Sequence, residues 1–403
     1  MKEIFSMAEK TIQEKALELH SAHKGKLEVR SKVPVKTAQD LSVAYTPGVA
    51  APCLAIKDNK QLAYEYTAKG NTVCVLTDGS AILGLGNIGP LAGLPVMEGK
   101  AILMKELAGI DAFPLCIDTQ DTEEIIKTCK YIAPTFGAIN LEDISAPRCV
   151  EIERRLIEEM DIPVFHDDQH GTAIIVGSAL INVCRLTKRK MEDMKFVISG
   201  TGAAGSSIAK HLKRLGAKTI YAYNINGVVT KEKYDEYDFL IKELLDDGVY
   251  SSPEKGETAL KDILVGADVF IGVSAPNLVT KEMVQTMNDK PIVFAMANPN
   301  PEITPEEAKK GGAYIIGTGR SDFPNQINNC LAFPGIFRGA LDAKATKITE
   351  EMKVSASYAL AHVLEDSELS PEKIVPLFND PRVIPAVAGA VKETAIKTGF
   401  VRK

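Results

Sequence analysis

The chain has 403 residues, 45% of them hydrophobic and 25% charged, with no Trp and a formal net charge of -6. That length suits two domains around a large core, and the acidic balance argues against nucleic acid as the main partner. No apolar run reaches the length of a membrane span and no secretory leader is visible, so a soluble, cytoplasmic protein is expected.

The opening segment places Ile4, Phe5, Ala8, Ile12, Ala16 and Leu17 at helical spacing among charges of both signs, which predicts a surface or subunit-contact helix. TVCVLTDGSAILGLG (72–86) reads as a strand and a glycine-rich turn, followed by a helix at 96–109 and a strand at 112–117. A helix at 121–133, a strand at 136–140 and a helix at 148–160 come next. IPVFHDDQHGT (162–172) reads as a buried strand whose end carries charge. From there the alternation is regular: a helix at 172–187, the strand KFVISG, a helix at 204–215, the strand TIYAYN, and buried strands at 267–275, 291–299 and 313–319. Beyond 338 the pattern is helical, with Pro breaks at 371, 376, 381 and 385. Apolar strands alternating with helices predict an α/β protein, with a doubly wound, Rossmann-type domain in its second part.

Seven cysteines (53, 74, 116, 129, 149, 184 and 330) include no C-x-x-C pair, which predicts reduced, packed thiols rather than disulfides or zinc.

G-x-G-x-x-G occurs twice. The first copy, Gly84 to Gly89, is followed by Pro90 and Pro95 where a helix should run, and reads as a tight turn. The second, Gly200-Thr201-Gly202-Ala203-Ala204-Gly205, follows one strand and opens a helix, the setting in which backbone approaches a pyrophosphate. The next strand ends at Asn224, an amide where Asp or Glu would favour NAD. Lys218 and Lys231 are the nearby cations, so NAD and NADP both remain open.

Glu142-Asp143 and Asp167-Asp168 both follow predicted strands. Solvated acids are the commonest reading of such pairs; oxygen donors for Mg2+ or Mn2+ are the alternative. His166 and His170 lack zinc partners at ligand spacing and suit hydrogen-bonding support. Lys100 lies in GLPVMEGKAILMKELAG beside Gly99, which would let backbone crowd close. Desolvation near a metal could lower its pKa enough for a base. Tyr45 is ambiguous on pattern alone.

Taken together, SVAYTPGVA, VLTDGSAILGLGNIGPLAGLPVMEGKAILMKELAGID, INLEDISAPRCVEIE, IPVFHDDQHGTAI, ISGTGAAGSSIAK, FAMANPNPEI and GRSDFPNQINNCLAFPGIFRGALD resemble the malic enzyme family, in the order that family has them. The resemblance implies an N-terminal α/β substrate domain at 1–160, an NAD(P)-binding domain at 161–403 with a helical tail from 338, and a homodimer. It implies NAD(P)- and Mg2+- or Mn2+-dependent oxidation and decarboxylation of malate to pyruvate. In that reading Tyr45 is the general acid, Lys100 the base and Asp167 the neighbouring acid. Glu142, Asp143 and Asp168 are the metal ligands, and Asn298 and Asn329 contact cofactor or substrate.

Two positions depart from the family pattern. Ala81 stands where larger members carry a carboxylate-binding arginine, so carboxylate recognition falls to the metal, to amides or to another cation such as Arg320, and Asn224 replaces the usual acid. The chain also lacks the phosphotransacetylase-like extension of longer bacterial relatives, which argues against regulation through such a domain. The alternatives are a malolactic-type enzyme, another 2-hydroxy-acid dehydrogenase, or a catalytically silent nucleotide-binding regulator.

Overall fold

A computed structural model describes residues 10–253 and 259–402. Ile4, Phe5 and Ala8 of the expected first helix lie outside these. The helix that is described, α1 (Ile12–His23), starts at a capping box in which Thr11 and Glu14 satisfy each other's backbone N–H groups. It is followed by α2 (Ala38–Ala44), α3 (Ala50–Asp58) and α4 (Ala63–Tyr66). None of these four helices buries a residue.

The first sheet is built from β1 (Thr72–Thr77), α5 (Pro90–Ala108), β2 (Asp111–Cys116), α6 (Thr122–Ile132), β3 (Ala138–Leu141), α7 (Arg148–Glu159) and β4 (Val164–His166). Its order is β2-β1-β3-β4, all parallel. Every residue of β1 is buried, as a strand covered on both faces requires.

Two expectations need correction here. The helix expected at 96–109 begins at Pro90, because a proline at the first helical position loses no intrahelical bond. Pro95, inside the helix, removes one donor without ending it. The strand expected through 162–172 is only three residues long. α8 (Asp167–Thr187) starts at once, with Asp167 and Asp168 in its first turn, where the helix dipole favours carboxylates.

The second sheet contains β5 (Lys195–Ser199), α9 (Ala203–Arg214), β6 (Thr219–Asn224), β7 (Gly227–Val228), α10 (Phe239–Asp246), α11 (Leu260–Leu264), β8 (Val269–Gly272), α12 (Lys281–Gln285), β9 (Ile292–Ala295), α13 (Pro305–Lys310) and β10 (Ile315–Thr318). Its order is β10-β9-β8-β5-β6-β7, parallel except for the edge strand β7. Strand order reverses beside β5, which opens a crevice at the carboxyl ends of β5, β6 and β8. The chain closes with α14 (Phe333–Asp342), α15 (Glu350–Ala361) and α16 (Val383–Thr398). Pro385, expected as a break, sits in the first turn of α16. One apolar cluster runs through both sheets by way of Ile174 and Ile175 of α8 and Phe333 and Phe337 of α14.

Candidate active site

The carboxyl ends of β3 and β4 deliver the two acidic pairs to one place. Ligand oxygens of Glu142, Asp143 and Asp168 all lie within 4.8 Å of one another. Asp143 holds a left-handed backbone (φ 54°), which an Asp tolerates better than most residues. That turn points its N–H at Asp168 Oδ2, 2.8 Å away. Asn140, buried on β3 and missed by sequence reading, donates to Glu142 Oε2 at 2.8 Å and fixes that carboxylate.

Burial, then the neighbouring Asp168 charge, pushes the Asp143 carboxyl up to about 7. Burial raises Glu142 too, against the pull of Lys100. Asp143 Oδ2 is buried without a hydrogen-bond partner. Crowded, partly orphaned oxygen donors of this kind fit a hard divalent cation.

Lys100 projects from the middle of α5 between these acids. Its Nζ is 2.9 Å from Glu142 Oε1, it is ion-paired with Asp167, and it stands 4.8 Å above the Phe333 ring. Burial alone would lower its pKa, as the sequence suggested, but Asp167, Glu142 and Asp168 outweigh burial and hold the ammonium well above its usual range. Nor does Gly99 crowd the lysine: a Cβ there would meet only Lys26 Nζ, at 3.5 Å. The special surroundings of Lys100 come from the carboxylates and Phe333. Asn329 stands against Gly171, whose absent Cβ leaves room for both Asn329 and Asp167.

His170 Nε2 pairs with Glu153 Oε2 at 2.7 Å, and Glu153 Oε1 accepts the His166 N–H at 2.8 Å. Glu153, also missed, therefore ties down the turn that carries Asp167 and Asp168. A sequence signal existed: it shares the apolar stripe of α7 with Cys149 and Leu156.

The second glycine motif forms the β5–α9 turn. Gly200 has φ 112°, and a Cβ on Gly205 would collide with the Gly200 carbonyl. Gly202 is the N-cap of α9 with no side-chain cap, and Thr201, Ala203 and Ala204 complete the turn, leaving N–H groups for an anion. Asn224 is occupied locally: its Nδ2 donates to Thr201 Oγ1 (3.2 Å) and its Oδ1 accepts from the Asn226 N–H (2.9 Å). The cations near Asn224 in sequence have different partners. Lys218 pairs with Glu192 at 2.8 Å, Lys231 is exposed, and Lys233, overlooked in the sequence, donates to Asn226 O at 3.2 Å. Asn298 is exposed beside Gly84 and Gly319.

Two residues are not brought in. Tyr45 caps the end of α2, is 65% exposed, and its hydroxyl makes no hydrogen bond among the described residues. Arg320 is held by Asp322 (2.7 Å) and is no free carboxylate receptor. Arg148 is likewise engaged, with Asp78, Ser80, Ser145 and the Gln120 carbonyl taking its donors. The first glycine motif is a tight turn, with Leu83–Leu85 in a 3-10 turn and an Ile82–Gly86 bridge. The prolines do not break the helix after it: α5 runs directly from Pro90.

A dinucleotide turn at the crevice of a doubly wound sheet, beside an oxygen-donor cluster with a buried lysine, defines a nicotinamide-dependent oxidoreductase. Residues 24–157 match the family model "Malic enzyme, N-terminal domain" and residues 169–396 match "Malic enzyme, NAD binding domain". The chain is 52% identical over 392 residues to the bifunctional malic/malolactic enzyme of Bacillus subtilis, covering 97% of this chain and 95% of that one. It is 52% identical over 379 residues to the NAD-dependent malic enzyme of Geobacillus stearothermophilus, covering 94% and 78% respectively. The crystal structure of malic enzyme from Pyrococcus horikoshii superposes with a TM-score of 0.91 at 45% identity, over 98% of this chain and 92% of that one. The chain belongs to the malic enzyme family. Its activity is the NAD(P)-dependent oxidative decarboxylation of malate.

Proposed function

We propose that Glu142, Asp143 and Asp168 hold one Mg2+ or Mn2+, that Lys100 is the base beside Asp167, and that Tyr45 is the acid. The convergence of three carboxylates within 4.8 Å next to a buried lysine carries this reading. Held by these three carboxylates, a divalent cation would supply Lewis-acid polarisation of a malate oxygen, and a nicotinamide held by the 200–205 turn would supply the hydride acceptor.

The chain's own groups do the rest. Lys100 receives the hydroxyl proton, which requires its neutral form. Glu142, which pairs with Lys100, would share its negative charge with a bound cation and so loosen its hold on the ammonium. Asp167 keeps Nζ aimed. Asn329 and Asn298 orient substrate carboxylate and cofactor, which suits a site where Ala81 offers no charge. Tyr45 protonates C3 after CO2 departs. Oxidation comes first, because a β-keto acid loses CO2 readily and malate does not.

Asn224 brings no negative charge to the ribose, and Lys233 is close by, which supports use of both NAD and NADP. The exposed apolar side chains of α1 to α4, among them Ile12, Leu17, Leu41 and Leu54, support a homodimer that covers them and encloses Tyr45. Seven free cysteines support a reducing, cytoplasmic setting; among the described residues no helix is long and apolar enough to cross a membrane. The working division is a substrate domain to about residue 160 and an NAD(P)-binding domain beyond it.

Malate with NAD or NADP, with and without Mn2+, tests the reading. Reduced cofactor, pyruvate and CO2 should appear only with metal, and equal rates in metal-free enzyme would overturn it. The Bacillus subtilis relative favours a second reading, a malolactic activity on the same site. Lactate formed without accumulating reduced cofactor would establish that one.

A further inference from the structure

A cavity of about 320 Å³ lies between α7, α8, α9, α10 and α15. None of Lys100, Glu142, Asp143, Asp167 and Asp168 lines it, nor does any residue of the 200–205 turn. Four cations face it: Arg154, Lys210, Arg214 and Lys353. Arg154 forks onto Glu243 with two bonds of 2.8 Å, and Lys210 reaches the same carboxylate at 2.6 Å. Arg214 and Lys353 share Glu350, at 3.1 and 2.9 Å.

Each of these carboxylates thus serves two positive charges. The third carboxylate of the lining, Glu153, is taken up by the His166 N–H and His170. The two histidines of the lining are disfavoured as cations. Burial holds His211 neutral, down at about 3, and lowers His170 as well. Burial also depresses the Lys210 ammonium, with Arg154 and Arg214 crowding it further.

Four cations against three carboxylates leave one positive charge over in a half-open hollow, and an anion bound there would share it. The hollow is at the small end of ligand-pocket volumes, so it excludes a dinucleotide and admits a compact acid. Ser207 adds a hydroxyl beside it, 3.3 Å from His170 Nδ1.

We propose that this cavity is an effector site for a small dianion, a short dicarboxylate or inorganic phosphate, held by Lys210, Arg214 and Lys353. The site is wired to the catalytic turn. Lys353, 5% exposed, lies 3.1 and 3.2 Å from the two ring nitrogens of His170. His170 is two residues beyond Asp168, and the carboxylate that anchors it also anchors the backbone of His166. An anion drawing Lys353 away from His170 shifts the turn that presents Asp167 and Asp168, and so changes the apparent affinity for malate.

Calorimetric titration of the enzyme loaded with NAD+ and Mg2+ tests this, using inorganic phosphate in one arm and succinate in the other. Saturable binding is expected in at least one arm, which also identifies the ligand class. Arg214→Ala should weaken it roughly tenfold, the loss of one charge-assisted contact. Glu243→Gln, which removes a competing carboxylate, should tighten it. Neither residue belongs to the catalytic machinery, so kcat without the anion should stay as in the wild type. The bound anion should shift KM for malate in the wild type and not in Arg214→Ala. Absence of saturable binding in both arms overturns the proposal. So does binding that both variants leave unchanged, since the anion then sits elsewhere, and so does a KM response that survives in Arg214→Ala.

Discussion

Gly84, in the turn after β1, touches the main chain of Asn298, in the loop after β9: a Cβ on Gly84 would run into the Asn298 carbonyl oxygen. The first glycine motif therefore joins a loop of the first sheet to a loop of the second. Asn298 is a candidate substrate or cofactor contact, so the glycine sets how near that amide can come.

Gly84→Ala should accordingly push the two loops apart, raising KM for malate and costing about 1–3 kcal/mol of stability through overpacking. Gly389→Ala is the control, since a Cβ there meets nothing within 4 Å inside α16. Thermal melts and malate saturation curves of the two variants decide the point, and identical behaviour would remove Gly84 from the site.

Lys100→Ala should lower kcat by about 10²–10⁴-fold, the usual worth of a positioned base, with little change in the Kd for NAD+. The substitution leaves Glu142 and Asp167 without their cation, so a lower Tm is expected alongside. Near-normal kcat in a folded variant would dismiss Lys100 as the base.

Asp168→Asn keeps an oxygen for the Asp143 N–H and removes only the charge. Mn2+ affinity, followed by electron paramagnetic resonance, should fall at least about 10–100-fold, the range already seen for weaker supporting contacts. Chelation should abolish turnover in the wild type, and added Mn2+ should restore it. Unaltered Mn2+ binding in Asp168→Asn would argue for a different ligand set.

His211, bonded to Ser357 at 2.7 Å, is held neutral by burial down to about 3. An unfolded histidine titrates near about 6.5. Between these values the unfolded chain binds a proton that the folded one refuses, so stability falls as pH drops below about 6.5, by up to about 1.4 kcal/mol per pH unit. Glu153 and Glu350, both lowered to about 2 against the cost of burial, lose their contribution only as pH falls below the unfolded carboxylate range. Urea unfolding at pH 5 and pH 7 should therefore show a flatter pH dependence in His211→Gln. An unchanged slope would show that another group governs the onset.

Features set by local backbone rules were legible in the sequence. The 200–205 turn needs glycine within a few residues of a strand end, and the strand TIYAYN was bounded correctly at 219–224. The acidic pairs were visible because both follow strands. What failed depends on distant partners. The ammonium of Lys100 is fixed by acids 42 and 67 residues away in sequence, so its desolvation alone gave the wrong sign. Lys233 reaches Asn226 only because the chain folds back after β7. Tyr45 lies on a segment that buries nothing within its own chain, so neither its sequence neighbours nor its fold assigns it a partner.

The apolar cluster that threads both sheets has a consequence for how the molecule comes apart. Val73 and Ile139 of the first sheet share it with Phe196 and Ile271 of the second, and α8 lies buried between them along most of its length. A chain cut near residue 160 would strip each half of apolar surface that the other covers, and neither half should fold alone. Heating the whole chain should then give a single calorimetric transition with equal calorimetric and van't Hoff enthalpies. The two segments that separate so cleanly in the sequence should unfold as one cooperative unit.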